Sequence, residues 1–321
     1  MNSIEKQARQ NVGEKLIKLI EKYYERPWIW GSISRNPNIT MEIIEAHPEK
    51  PWNWQFISQN PNLSMEIIEA HPEKPWNWQF ISQNPNLSME YIKAHPEKPW
   101  IWEWISSNPN ITMKFIEARL EKNWNWKEIS KNPNLTIDFI EAHPEKSWNW
   151  RSVSSNPNIT IDVIEAYPEK PWIWECISQN PNITMEFIEA HPDKYWNWIE
   201  VSRNSNITID VIEADPGKPW FWQWISLNPN ITMEFIEAHP EKNWNWTLIS
   251  QNPNITMDII QKHPQNWDWL CISQNNFTYE YKYEIKNLRK KLYYKNRKTL
   301  LKKITEKYQN IDIQKCILDF I

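Results

Sequence analysis

Pro51-Trp52-Asn53-Trp54-Gln55-Phe56-Ile57-Ser58-Gln59-Asn60-Pro61-Asn62-Leu63-Ser64-Met65-Glu66-Ile67-Ile68-Glu69-Ala70-His71-Pro72-Glu73-Lys74 decides the fold, because it returns almost unchanged from Pro75. Its first tryptophan recurs as Trp28, Trp52, Trp76, Trp100, Trp124, Trp148, Trp172, Trp196, Trp220 and Trp244, a fixed step of 24 residues, and again as Trp267 after 23. A second tryptophan follows two residues later each time, so eleven pairs hold 22 of the 24 tryptophans and leave Trp104 and Trp224 as extras. A period of this length is the signature of stacked units that bury their apolar faces on one another. The expectation is an all-α solenoid of eleven two-helix repeats with helical caps, forming one elongated object.

Within a unit the spacing predicts two short helices. Pro51 suits the first turn of a helix, where its missing N–H costs nothing. Trp52 and Phe56 are four apart and Trp54 and Ile57 three apart, so each pair shares a helical face. This first piece is α or 3-10. Asn60-Pro61-Asn62 is a turn, and Ser64 is a good N-cap for a second helix with Glu66 in its first turn. Pro72 ends that helix. Two turns are unstable alone, so stability must come from stacking, the tryptophans contributing most of the buried area. Asn38-Ile39-Thr40 and its ten equivalents also match the N-glycosylation pattern. The cap reading accounts for them without secretion.

Gly is nearly absent, with only Gly13, Gly31 and Gly217, so no phosphate-cradling loop can be built. Cys176, Cys271 and Cys316 are few and irregularly spaced, as in a reducing compartment. The polar start of the chain carries no signal peptide, and no stretch reads as a transmembrane span, so a cytoplasmic location is expected. The net charge of −4 conceals an asymmetry: Glu280 onward has 12 basic and 5 acidic residues, whereas the remainder has 24 and 35. A basic tail against acidic repeats could meet nucleic acid, an acidic membrane surface or the repeats themselves.

All seven histidines occupy one slot of the unit, which also accepts Arg119, Tyr167 and Asp215. Equivalent residues of stacked helices lie about 10 Å apart, while zinc needs several donors at about 2 Å, so no metal site is expected. No catalytic constellation and no cofactor motif is present, and no enzymatic activity is expected. The Asn53, Gln55 and Phe56 slots vary in chemistry from unit to unit, whereas Trp52, Trp54, Ser58, Asn60 and Ile68 hardly change. Variable slots on a constant frame mark a candidate partner-binding strip: Trp104, Trp224, Phe56, Phe80, Ile101 and Phe221. A second candidate contact is basic: Arg289, Lys290, Lys291, Lys295, Arg297 and Lys298.

Residues 1–25 read as an N-terminal capping helix, 26–278 as the tryptophan-repeat solenoid and 279–321 as a basic amphipathic helical segment. Leu19-Ile20 aligns with Ile43-Ile44, and Glu25-Arg26-Pro27-Trp28 with Glu49-Lys50-Pro51-Trp52, so the first helix is a lengthened copy of the unit's second helix. The stretch from Ile57 to Ile68 followed by Pro72-Glu73 resembles the leucine-rich-variant repeat, which implies alternating helices stacked in a superhelix. The whole Trp-Asn-Trp to Asn-Pro-Asn-Ile-Thr unit is similar to the tryptophan-repeat proteins of large DNA viruses over residues 26–278. That resemblance implies a viral protein made in host cytoplasm and carries no functional residues with it. The function expected is a non-enzymatic protein-interaction scaffold. The alternatives are nucleic-acid binding through the basic tail and a structural protein with no discrete site.

Overall fold

The computed structural model describes residues 3–308, with side chains to Lys302. Cys316 and the rest of the expected C-terminal segment beyond Tyr308 lie outside the described residues, as do Met1 and Asn2. The described residues form 23 helices and no strand, a helical repeat solenoid. Helix α1 is Ser3–Lys22. Helices α2 to α21 alternate as first and second helices of ten units, from α2 (Trp30–Ser34) and α3 (Met41–Ala46) to α20 (Trp246–Ile249) and α21 (Met257–Lys262). Helix α22 is Trp269–Gln274 and α23 is Thr278–Tyr308.

Helices of four to six residues do not stand alone, and the bonds that hold them run between units. The Asn60 slot is buried in every copy. Asn180 shows its geometry: the side-chain amide donates to the carbonyls of Ser154, Asn156 and Ile159 in the preceding unit, at 3.2, 3.0 and 2.9 Å. Its own oxygen accepts from the Asn182 backbone N–H at 2.9 Å. Removing such a side chain strands several buried carbonyls, at about 1–3 kcal/mol each. The Ser58 slot works in parallel. The Ser34 hydroxyl accepts from the Asn53 backbone N–H of the next unit at 2.9 Å, and the Ser58 hydroxyl does the same for Asn77.

The tryptophans interlock. The second tryptophan of each unit meets the first of the next edge to face, as in Trp54–Trp76 at 5.4 Å and 82°. The indole N–H of the first tryptophan donates to the carbonyl of the histidine slot five residues earlier, as Trp76 does to His71 at 2.8 Å. That slot is therefore defined by its carbonyl. Arg119, Tyr167 and Asp215 serve equally well, accepting from Trp124, Trp172 and Trp220. The expected Thr/Ser caps form in eight of ten second helices, from Ser88 to Thr256. Thr40 and Ser64 make no cap bond. The asparagine of the glycosylation pattern is engaged too: Asn182 donates to Pro157 and Ile159 of the preceding unit.

The solenoid is not an elongated rod. Unit eleven docks on unit one through the bonds that join every other pair. The Ile29 backbone N–H donates to the Ser273 hydroxyl at 3.1 Å, Asn36 donates to the Asn275 carbonyl at 2.9 Å and Asn38 to that of Asn276 at 2.8 Å. Trp28 meets Trp269 edge to face at 5.2 Å. The edge-to-face series thus closes on itself as eleven pairs, at 5.2–5.4 Å. The protein is a ring.

The helix expected as an N-terminal cap supplies the missing half of unit eleven. Tyr23 stands in the histidine slot, its carbonyl accepting from Trp28 and its ring 4.9 Å from Trp269. Arg26 lies 5.3 Å over Trp269, as Lys74 lies 5.2 Å over Trp54. Helix α1 thereby sits between α21 and α3, with contacts to both. Helix α23 packs antiparallel on α1: Glu280 pairs with Lys15 at 2.9 Å, and Asn11 donates to Glu284 at 2.6 Å. Glu280 is buried and also accepts from the Met257 backbone N–H at 3.1 Å. Burial opposes the charge on Lys15, but Glu280 outweighs it and raises the Lys15 pKa above its ordinary 10.5. The stabilisation is complete below the unfolded value and fades only as pH rises through the raised one, so the clasp is intact at neutral pH. The turn from α22 into α23 puts the fully buried Phe277 at φ 48°, the only non-glycine residue with positive φ among those described. This is where the unit loses its Asn-Pro-Asn turn.

Gly13 lets α1 pack closely on unit one. A Cβ there would overlap the Asn38 carbonyl oxygen and the Ile43 side chain, whereas one at Gly217 would meet nothing. Gly13→Ala should lower stability by about 1–3 kcal/mol despite the better helix propensity of Ala. Gly217→Ala should stay within about 0.5 kcal/mol of the parent. Chemical denaturation of both variants checks this, and equal stabilities would contradict the close packing of α1 on unit one.

Candidate interaction surface

Ring closure gives the repeats an inside and an outside. First helices of successive units approach closely, as in units one and two, three and four, six and seven, and eight and nine, and again between α22 and α2. The second helices, although longer, approach one another less closely. The first helices therefore lie on the shorter, inner circumference. With neighbouring axes about 8–10 Å apart, eleven of them span a circle about 28–35 Å across. Subtracting one helix diameter of about 10–12 Å leaves an opening of about 20 Å.

The candidate strip lies on these inner helices, and the structure resolves it into groups. Phe56 stacks on Phe80 at 6.1 Å, and Phe80 meets Trp104 edge to face at 6.0 Å, a continuous aromatic run across units two to four. Phe56 also covers the bare backbone of Gly31 in unit one. Trp224, in unit nine, is apart from this run and carries the Arg203 guanidinium 5.9 Å over its ring. Trp104 and Trp224 are both half-buried. They stand five units apart one way and six the other, hence on nearly opposite sides of the ring. Between them most of the strip's charges are paired, Lys131 with Glu128 at 2.8 Å, Arg151 with Glu175 at 4.0 Å, and Arg203 with Glu200, while Lys127 is exposed.

The Asn53 slot has a structural duty that its variability hides. Asn53, Asn77, Asn125, Asn149, Asn197 and Asn245, with Asp268, cap the first helix through the side chain. Ile29, Ile101, Ile173 and Phe221 do not. Losing a cap costs about 1 kcal/mol. Two of these uncapped residues are exposed, Ile101 at 36% and Phe221 at 45%. Each stands three residues before an extra tryptophan, on the same helical face. The chain thus carries an exposed apolar side chain beside Trp104 and another beside Trp224, in place of a stabilising cap. This pairing was visible in the sequence as coincident departures at one unit, but only the cap geometry gives it a cost.

The basic candidates all lie on α23, outside the ring of first helices. Arg289, Lys290, Lys291, Lys295 and Lys298 are exposed and Arg297 is half-buried. Lys290 lies 6.0 Å over the Tyr294 ring. No group of histidine, cysteine and carboxylate side chains suited to a metal occurs among the described residues. His47, His71 and His95 sit instead between carboxylates, His71 being 3.6 Å from Glu45 and 3.7 Å from Glu73, whereas His191 and His239 bond the Phe187 and Phe235 carbonyls. Cys176 and Cys271 are buried, and burial pushes both thiols up, away from the reactive thiolate. No described helix is long and apolar enough to cross a membrane. No family model, curated protein or solved structure matches this chain.

Ile101→Asn should restore the cap and stabilise the ring by about 0.5–1 kcal/mol. Equilibrium denaturation measures it; a loss of stability would mean that Ile101 is held by packing instead.

Proposed function

We propose that the protein is a non-enzymatic interaction scaffold that grips a polypeptide segment of its partner within the ring. The observation that carries this reading is the placement of Trp104 with Ile101 and of Trp224 with Phe221. Both pairs sit on the inner circumference, on nearly opposite sides, Trp104 and Trp224 in a variable slot and Ile101 and Phe221 where a helix cap has been given up. Large aromatic side chains of this kind anchor protein contacts. An opening of about 20 Å admits one helix of about 10–12 Å or an extended strand. The paired charges of the inner strip leave no row of free cations for a phosphate backbone, which disfavours nucleic acid in this position. In keeping with the repeat's similarity to viral tryptophan-repeat proteins, we place the partner among host or viral proteins of the cytoplasm.

A displayed random-peptide library selected on the intact protein tests this directly. Selected peptides should bind the parent and lose at least about tenfold in affinity to a Trp104→Ser/Trp224→Ser variant, the loss expected for an aromatic anchor. The Tyr195→Ser variant, altered at an exposed aromatic of an inter-unit loop, should bind them like the parent. Peptides that bind all three proteins equally would remove the inner strip as the site.

A further inference from the structure

What remains exposed on a first helix faces the opening, because the buried Ile57 and Ser58 slots take its other side. In the Gln55 and Phe56 slots, units nine, ten, eleven, one, two and three hold no charged residue, and Trp224, Leu248, Leu270, Phe56 and Phe80 are their large apolar members. Each of units four to eight holds at least one charge: Glu103, Lys127 with Glu128, Arg151, Glu175 and Glu200. The uncharged units come from the two ends of the chain and become neighbours only where unit eleven docks on unit one. Closure thus gives the opening an uncharged half and a charged half, with Trp224 and Trp104 at the two borders. Leu270 is exposed at 46% in the uncharged half, and Phe56 reaches over Gly31 across the junction of units one and two. The charges in the first-helix segments of this half are Arg35, at the C-terminal end of α2, and Asp268, which caps α22. In the charged half Lys127, Lys131 and Arg151 are exposed, whereas Glu128, Glu175 and Glu200 are more covered. The cation of each ion pair stands further out, Lys131 at 57% against 32% for Glu128 and Arg151 at 62% against 44% for Glu175. Glu103, next to Trp104, is the exposed carboxylate at the border.

We propose that the segment gripped in the ring is an amphipathic helix, with its apolar stripe against the uncharged half and a carboxylate-bearing face toward Lys127, Lys131 and Arg151. This rests on the reading of the ring as a grip for a polypeptide, and it adds the chemistry of what is gripped. Three features select this occupant. A helix satisfies its own backbone, whereas an extended strand would find no strand edge to pair with among the described residues. A helix about 10–12 Å thick in an opening of about 20 Å seats against one side, and an apolar stripe about 100° wide or more suits a concave apolar wall. Its polar face then looks across a gap of about 8–10 Å, close to one Debye length at physiological salt, and the long lysine and arginine side chains shorten that gap. The outermost charges met there are mainly cations, so carboxylates on the partner are drawn to them. A nucleic acid would use those cations and leave the uncharged half in water.

Fluorescence anisotropy with the intact full-length chain tests the proposal, using three labelled peptides of about 18 residues, about five helical turns. The first carries Leu and Phe along one face and Glu on the opposite face. The second has Lys in place of each Glu, and the third scrambles the order of the first. The first should bind, and the other two should bind at least about tenfold more weakly. Lys127→Glu/Arg151→Glu should invert the preference between the Glu and Lys peptides. Near-ultraviolet circular dichroism of the many tryptophans should be unchanged in that variant, which separates altered charge from lost folding. Equal binding of the first peptide and its scramble would overturn the proposal, as would a preference that charge reversal leaves unaltered. Library-selected peptides that need Trp104 and Trp224 but do not compete with the first peptide would overturn this inference alone and leave the grip within the ring standing. No binding of any peptide, selected or designed, would overturn both.

Discussion

A buried asparagine amide ties each unit to the one before it, and nothing inside a unit can replace it. In the slot of Asn60 the side chain reaches back to the preceding unit's carbonyls and simultaneously holds its own Asn-Pro-Asn turn. Serine hydroxyls and edge-to-face indoles reinforce the same interface. The helices are too short to persist otherwise, so the stability of the protein is a property of interfaces rather than of units. An open stack would leave this interface half-made at both ends. Asn36 and Asn38 would lack acceptors, and the carbonyls of Asn275 and Asn276 would lack donors. Closure satisfies all of them with the bonds used elsewhere.

Closure also explains why the two ends of the chain look incomplete. The C-terminal end of the repeats supplies a first helix and half a turn, and then departs into α23. The N-terminal end supplies the second helix and the loop that precedes Trp28. Neither half buries its apolar face alone, and the clasp of α1 with α23, sealed by Lys15 and Glu280, holds them together within one chain. The ring then separates two environments. Its outer layer carries most of the acidic residues, whereas its inner strip is nearly balanced in charge and broken by aromatic groups. Side-chain chemistry is free to vary only where the interface bonds make no demand, which is where Trp104 and Trp224 stand.

Much of the fold was legible in the sequence because its period exposes every structural slot eleven times. Two helices per unit, the turn at Asn60-Pro61-Asn62 and the Thr/Ser caps follow from local chemistry. The histidine slot did not yield its role, because its carbonyl rather than its side chain makes the bond to tryptophan. The Asn53 slot looked like free surface because four copies have given up a cap. Closure was written in the frame as well: Leu19-Ile20 and Glu25-Arg26-Pro27 continue the repeat upstream of Trp28, while unit eleven lacks that half. Two half units at opposite ends sum to one, but the curvature that brings them together depends on packing distances that no spacing reveals. The variable slots fall on the first helices, as their spacing implies, yet their division into an aromatic run and a separate group on the opposite side depends on the ring.

Small-angle X-ray scattering from the monomeric full-length chain tests the ring most directly. A closed ring of these units should have a radius of gyration of about 20–23 Å, close to that of a compact chain of this length. Eleven units laid end to end at about 10 Å each would give a rod about 110 Å long, with a radius of gyration near 32 Å. The first value, with a pair-distance function ending sharply at the ring's outer diameter, is the one predicted here. The second would show that the ends do not meet and that unit eleven is left incomplete in solution.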